Sequence, residues 1–282
     1  MERRLQIVGV LNVTPDSFHD GGKFLEKDKA VKRAGELLSE GADILEIGGE
    51  STGPGSKDID ASEEMERILP MIDAIRKAFP DARISVDTYK SEVAEAVLAK
   101  GVTMINDVTA GRGDAALFEV LKRSGAKLVL MYAKDPTPRT TIRSVSYDDV
   151  VATIKKFLRE RKEAAVRSGI AEDRIILDPG LGHFVSGEPQ CSFEIIARLL
   201  EFTSLGSPLL LSPSRKSFLA GERKLPTSER LPGTIAASAV AVLHGVLYIR
   251  THDVEPVRRA CEIAAAIRAS GNGDQLATSM TR

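Results

Sequence analysis

The sequence predicts an α/β chain folded as a single-domain (β/α)8 TIM barrel over residues 1–270, with 271–282 as a C-terminal tail that lacks a hydrophobic face and frays. Three observations carry that prediction. Eight short apolar runs alternate with helical patterns. Glycine recurs between a helical pattern and the apolar run that follows it. Polar residues suited to chemistry gather at or just beyond the ends of the runs. Strands that are apolar almost throughout belong to a parallel sheet covered on both faces. A doubly wound open sheet is the alternative, and the absence of G-x-G-x-x-G after the first run weakens its dinucleotide-binding form.

Strand one is expected at Gln6–Leu11, ending at Asn12. Ala30, Ala34, Leu37 and Leu38 then sit at helical spacing, and Gly41 closes that helix. Strand two, Asp43–Ile47, leads into Gly48-Gly49-Glu50, and strand three, Arg83–Val86, ends at Asp87. Ser91 is expected to cap the helix of Val93, Ala94, Val97 and Leu98, which Gly101 ends. Strand four, Thr103–Ile105, runs into Asn106-Asp107. Asp114 is expected to cap the helix of Leu117, Phe118 and Leu121, with Gly125 closing it before strand five at Lys127–Met131. The polar, proline-interrupted segment Lys134–Thr141 reads as a mobile loop. Gly169 precedes strand six, Arg174–Leu177, which ends at Asp178-Pro179-Gly180. Strand seven is Pro208–Leu211. Gly233-Thr234 opens the helix before strand eight, and Gly245 precedes that strand at Val246–Ile249. A glycine after a helix supplies the left-handed conformation that other residues resist.

Composition narrows the function classes. Lys+Arg number 39 against 40 Asp+Glu, a formal net charge of -1, which leaves no electrostatic footprint for nucleic acid or an anionic membrane. The two cysteines, Cys191 and Cys261, encode neither a disulfide framework nor a zinc site. The apolar run that ends at Asn12 is too short for a signal-peptide core or a membrane span, so a cytoplasmic location is expected.

In a barrel of this kind the strand C-termini form the active-site mouth, and Asn12, Glu50, Asp87, Asn106, Asp178, Lys216, Arg250 and His252 all converge there. Asp87, Asp178 and Asn106 could read a flat heterocycle with an amidine-like edge; alternatively the aspartates cap loops or pair with lysines. Ser214-Arg215-Lys216-Ser217 and Arg250-Thr251-His252 suit a phosphate or diphosphate, helped by helix-terminal N–H groups at Gly233-Thr234. Arg215 reads equally well as a surface salt bridge, and His252 also fits a core histidine. Ser51, Ser212 and Ser214 have no histidine–acid partner recognisable from sequence. The mouth is therefore expected to stabilise a leaving group without a covalent intermediate.

Gly9–Gly22 (GVLNVTPDSFHDGG), Gly41-Ala42-Asp43 through Gly48-Gly49-Glu50-Ser51-Thr52, and Ser85–Lys90 (SVDTYK) closely resemble the signatures of dihydropteroate synthases. So do Ile105-Asn106-Asp107-Val108, Leu177-Asp178-Pro179-Gly180, Ser214-Arg215-Lys216-Ser217 and Arg250-Thr251-His252-Asp253-Val254, in family order over about residues 5–268. The resemblance implies a folate-pathway transferase that joins p-aminobenzoate to 6-hydroxymethyl-7,8-dihydropterin diphosphate, releases diphosphate with Mg²⁺ assisting, and works as a homodimer through its last helices. It implies that Asp87, Asn106, Asp178 and Lys216 hold the pterin. Asn12, Arg250 and His252 would hold the diphosphate, with Asn12 also facing the metal. Thr52, Pro54, Phe184 and Ser214 would lie on the p-aminobenzoate side, with mobile loops at Thr14–Lys23 and Ser51–Asp60, and Asp20 near the amine. Asp20, Lys216, Arg250 and His252 are the expected catalytic set.

Three departures from the family pattern stand out. Gly53 occupies the place of an arginine, Met131-Tyr132 that of Met-His, and the His183–Pro189 segment is about two residues longer. The last, with the altered second loop at Gly53, Pro208–Lys216 and Tyr248–His252, resembles the Sul-type, sulfonamide-insensitive branch. Two other readings compete: a pterin-binding paralogue without turnover, consistent with Gly53, and a methyltetrahydrofolate:corrinoid methyltransferase module, which would not need the basic clamp.

Overall fold

The computed structural model describes residues 4–12 and 23–271, with Asn12 and residues 23–26 described by backbone alone. Asp20, most of the first expected loop and the 272–282 part of the expected tail lie outside the described residues. Strands and helices alternate along the chain: β1 Gln6–Asn12, α1 Lys23–Ser39, β2 Ile44–Gly48, α2 Ala61–Ala78, β3 Ile84–Asp87, α3 Ser91–Ala99, β4 Met104–Asp107 and α4 Leu117–Arg123. The second half continues with β5 Lys127–Met131, α5 Val150–Arg167, β6 Ile175–Asp178, α6 Pro189–Ala197, β7 Leu210–Leu211, α7 Leu231–Leu243, β8 Tyr248–Thr251 and α8 Val254–Gly271. All pairings are parallel, in the order β6-β5-β4-β3-β2-β1-β8-β7. A single bridge, Leu177 to Leu209, brings β6 against β7, with the Leu177 N–H donating to the Pro208 carbonyl at 2.9 Å. That bridge closes the (β/α)8 barrel expected from the sequence.

The two-residue period of a strand divides each apolar run between two cores. Ile7, Leu45, Ile47, Ile84, Val86, Leu128 and Leu177 face outward into the layer under the helices. Val8, Ile44, Met104, Val129, Ile176, Leu210 and Tyr248 form the separate plug inside the barrel, each at most 1% exposed. Two residues further along, the same strands present Val10, Glu46, Asn106, Met131, Asp178, Ser212 and Arg250, and β3 adds Asp87. The mouth is thus the next layer above an apolar plug.

Gly41, with φ +100°, makes the left-handed turn out of α1. A Cβ there would also come within 2.6 Å of Arg258 Nε, so the position demands glycine. Gly101, Gly169 and Gly245 also have positive φ, as the recurring pattern requires. Gly125 does not follow the pattern, because Ser124 in extended backbone already ends α4. Two expected caps also shift. Ser91 is the first helical residue of α3 rather than its cap, and its N–H donates to Asp114 Oδ2 at 2.7 Å. Asp114 Oδ1 accepts from Ala116, one residue before α4, so one carboxylate serves two helix starts.

Lys134–Thr141 is tied together at its two ends. Asp135, 6% exposed, accepts from Thr140 Oγ1 at 3.0 Å, the Thr141 N–H at 2.9 Å and Lys134 Nζ at 2.6 Å. Lys134 Nζ also donates to the carbonyls of Thr141 and His183, both at 2.7 Å. A buried charge pair with this many partners replaces the solvent its polar composition would otherwise seek. The segment is pinned to the β6–α6 loop.

Candidate active site

A cavity of about 230 Å³ opens at the C-terminal ends of the strands. Its floor is Asp87, Asn106, Met131, Asp178, Ser212 and Arg250, the i+2 layer just described; Lys216, His252 and Phe184 stand at its sides, and Glu50–Gly53 form one rim. Asp87, Asn106, Asp178, Lys216, Arg250, His252, Thr52 and Phe184 therefore meet in one place. Pro54 is exposed and lies outside the wall, and the Asn12 side chain is outside the described residues. Ser214 is buried behind His252 rather than on the cavity wall.

Arg250 sits deeper than expected. Strand eight is Tyr248–Thr251, two residues later than the apolar run, because Val246 and Leu247 are consumed in leaving the Gly245 turn. Arg250 is thus a strand residue paired with Val8, not a rim residue. Its guanidinium donates through Nε to Glu46 Oε1, and through Nη2 to Asp87 Oδ2 at 3.2 Å. Burial works against the charge, but Glu46 and Asp87 raise the Arg250 pKa above its ordinary value.

Glu46, the centre of this floor, is not among the site residues expected from the sequence. It is fully buried and also accepts from Ser85 Oγ at 3.2 Å and Asn106 Nδ2 at 3.3–3.4 Å. A signal existed: an acid inside an otherwise apolar strand, two residues after the plug residue Ile44. Because the Asn106 amide nitrogen is committed to Glu46, its Oδ1 is left buried without a partner. That oxygen calls for a donor from a ligand.

The remaining groups are tuned mainly by burial. Asp178 is pushed up to about 6 by desolvation, partly offset by Lys216 and by the Gly180 N–H that donates to it at 2.7 Å. Burial raises Asp87 to about 7, with Arg250 opposing and Glu46 adding to the rise. Lys216, desolvated but drawn by Asp178, falls to about 8; its ammonium lies 5.2 Å from the Phe184 ring centroid and donates to the Leu181 carbonyl at 3.3 Å. His252 is pressed down to about 4 by burial and by Arg250, so its ring is neutral near pH 7. Three groups poised between 6 and 8 in one cavity mark a functional site.

Tertiary structure also supplies pairings that the sequence hid. Ser214 Oγ lies 2.9 Å from His252 Nδ1, so that serine does have a histidine partner. The same oxygen accepts from the His252 N–H at 3.2 Å, which makes it a positioner of the ring. Arg215 pairs with Asp253 away from the cavity wall, the salt-bridge alternative for that residue. Thr234 is fully buried, and its hydroxyl takes up the Arg215 N–H at 2.9 Å, so the start of α7 is turned to the scaffold and not to a ligand. Among the described residues, no group of three or more His, Cys, Asp or Glu could hold a metal ion, and no helix is long and apolar enough to cross a membrane.

The same arrangement of elements occurs in known proteins. The profile of the family "Pterin binding enzyme" matches residues 8–252. A dihydropteroate synthase of Staphylococcus haemolyticus is 40% identical over 255 residues, covering 89% of this chain and 91% of the relative. The solved dihydropteroate synthase of Clostridium difficile, in the presence of pteroic acid, superposes with a TM-score of 0.86 at 38% identity, covering 94% of this chain and 97% of that one. The Xanthomonas albilineans enzyme with 4-aminobenzoic acid gives 0.85 at 36% identity, covering 94% of each chain. With a cavity of about 230 Å³ floored by buried acids and likeness of this extent, the chain belongs to the pterin-binding enzymes and, among them, to the dihydropteroate synthase family of transferases.

Proposed function

We propose that this chain condenses 6-hydroxymethyl-7,8-dihydropterin diphosphate with p-aminobenzoate to 7,8-dihydropteroate and diphosphate. The unpartnered Asn106 Oδ1 above the Glu46–Arg250 pair is the observation that carries the reading. A 2-amino-4-oxo pterin offers N–H donors along one edge and a carbonyl acceptor on the ring. Asn106 Oδ1 and the carboxylates of Asp178 and Asp87 match the donors, and the Lys216 ammonium matches the acceptor. Asp178 stabilises positive charge that develops on the pterin as the C–O bond to diphosphate weakens. Such preorganised charge is the largest lever available to a site without a nucleophile.

On the leaving-group side, Ser214 Oγ accepts the His252 N–H at 3.2 Å and lies 2.9 Å from His252 Nδ1. In the tautomer in which Ser214 donates to Nδ1, Nε2 carries the ring proton and is a neutral donor for the departing diphosphate. Arg250 contributes charge from the floor. Mg²⁺ fits as an ion held largely by substrate oxygens and water: β1 ends at Asn12, opposite Gly48 at the mouth, and an amide oxygen is a hard donor suited to it. When bound, the ion would neutralise charge developing on the diphosphate. Asp20 would serve the p-aminobenzoate amine. Val240 on α7 and Ile263 and Ile267 on α8 are exposed, the last two by 64% and 58%. This apolar face supports assembly as a homodimer. A cytoplasmic location accords with the substrates.

The test is product formation: the purified chain given both substrates and Mg²⁺ is expected to yield dihydropteroate and diphosphate in equal amounts, and no product would overturn the reading. In the same assay kcat/KM is expected to follow a bell. The acid limb falls between about 6 and 7 as Asp178 and Asp87 take up protons, and the alkaline limb lies near 8 as Lys216 loses one. Lys216→Met should erase the alkaline limb; a variant that keeps it would assign the limb elsewhere.

The lengthened β6–α6 loop bears on inhibitors. Phe184 ends a 3-10 turn at Gly182–Phe184, lines the cavity, and has its carbonyl fixed by the Lys134 N–H at 2.8 Å. A ring anchored there crowds any group extending past the p-aminobenzoate ring, as a sulfonamide substituent does, while the substrate needs no room beyond it. A clash costing about 2–3 kcal/mol weakens sulfamethoxazole about 30- to 150-fold. Shortening the segment by two residues around Phe184 should restore inhibition. Inhibition of the unmodified chain as strong as in sensitive synthases would refute the Sul-type reading.

A further inference from the structure

The β2–α2 loop carries Thr52 along the rim, yet its own internal bonds are few. The Ser56 N–H and Oγ donate to the Gly53 carbonyl at 3.2 and 2.7 Å, and the Gly53 N–H reaches Ser51 Oγ at 3.4 Å. Gly53, where the family pattern has an arginine, supplies no side chain to tie the loop down. What holds it comes from another loop. Arg139, in the β5–α5 connection, donates through Nε to the Ser56 carbonyl at 3.2 Å and through Nη2 to the Lys57 carbonyl at 2.6 Å. The same guanidinium pairs with Glu50 and Asp58. Its neighbour Thr140 donates its N–H to the Thr52 carbonyl at 3.1 Å. Three hydrogen-bond acceptors and an ion-pair partner spread over nine residues of loop suit the planar, five-donor fork of arginine.

The strut is anchored at both ends. Behind it, the Asp135–Lys134 pair and the His183 carbonyl root the β5–α5 loop on the β6–α6 loop. Ahead of it, Glu50 also accepts from Lys90 Nζ at 2.7 Å and from the Ile59 N–H at 3.3 Å, and Lys90 continues to the fully buried Glu64 of α2 at 2.5 Å. Arg139–Glu50–Lys90–Glu64 is a chain of alternating charges linking three loops and a helix. Arg139 itself is not among the cavity-lining residues.

We propose that Arg139 is a positioning residue that holds the β2–α2 loop, and Thr52 with it, in the form that receives p-aminobenzoate before either substrate arrives. The proposal rests on the synthase reading for its substrate, but the ordering of the loop does not. A loop that reaches its receptive form only a tenth of the time weakens apparent affinity about tenfold. In the free full-length protein, amide hydrogen exchange across 51–60 is expected to be slow, and Arg139→Ala should make it fast. The same variant should raise KM for p-aminobenzoate about tenfold while KM for the pterin diphosphate changes less than about twofold. Arg139→Lys keeps the charge but not the fork, and should fall between the two on both readouts; it also serves if the alanine variant does not fold. Unchanged exchange across 51–60 with unchanged KM for p-aminobenzoate would overturn the proposal, and so would equal rises in both KM values. An unmodified chain without synthase activity would fail the functional reading alone, leaving the exchange experiment to decide the strut.

Discussion

Asp178→Asn is expected to keep the fold and lose turnover. The Asn carbonyl can still accept the Gly180 N–H that Asp178 Oδ1 takes at 2.7 Å, so the Asp178-Pro179-Gly180 turn survives. What changes is the face toward the cavity. A carboxylate presents only acceptors, whereas the amide places an NH₂ where the pterin edge also brings N–H groups. Losing a charged hydrogen bond and leaving a buried donor unmatched costs about 1.5–3 kcal/mol, or roughly 10- to 150-fold in pterin affinity. Turnover suffers further because the negative charge that favours cationic character on the pterin is gone, and that interaction strengthens toward the transition state. Calorimetric titration with a pterin checks the first part, and product formation the second. Undiminished pterin affinity would remove Asp178 from the floor of the site.

Glu46→Gln tests the buried pair beneath that floor, and its largest effect is on stability. Glu46 is completely enclosed, with Arg250, Asn106 and Ser85 as its partners. Neutralising it leaves Arg250 with Asp87, 3.2 Å away, as its one remaining ion-pair partner among the described residues. Breaking one side of a buried pair costs about 3–5 kcal/mol. At about 2–4 °C per kcal/mol for a chain of this size, the melting temperature should fall roughly 6–20 °C. Replacing both members, as Glu46→Leu with Arg250→Met, should recover part of that loss without recovering turnover, because the pair also aims Asn106 and Asp87 at the ligand. A melting temperature unchanged by Glu46→Gln would show that the pair does not carry the floor.

Much of the architecture was legible in the chain because it is local. A helix ends at Gly41, Gly101 or Gly169 because those backbones turn left-handed, and a run such as Leu128-Val129-Leu130 is buried on both faces whatever it packs against. The position of Asp87, Asn106 and Asp178 at the ends of their runs followed from the same local order, and the barrel geometry brings them to one cavity. Where local patterns failed, a neighbour in space had taken over. Gly125 was not needed once Ser124 had ended α4, and Ser91 was displaced as a cap by the Asp114 carboxylate from the next loop. Lys134–Thr141 carries the composition of a mobile loop, and only the tertiary structure supplies the His183 carbonyl that ties Lys134 to the β6–α6 loop.

By itself, then, the sequence determined the eightfold alternation, the mouth at which it ends and most of the polar residues gathered there, since each depends on spacing along one strand or helix. The tertiary structure alone decided the partners. Glu46 meets Arg250 across 204 residues, Glu50 meets Arg139 across 89, and Ser214 meets His252 across 38. No periodicity encodes such pairs. They exist because closing the barrel sets β2 and β8 on either side of β1 and brings the β2–α2 and β5–α5 loops together over the mouth. In that low-dielectric space a buried charge is tolerated only beside its complement.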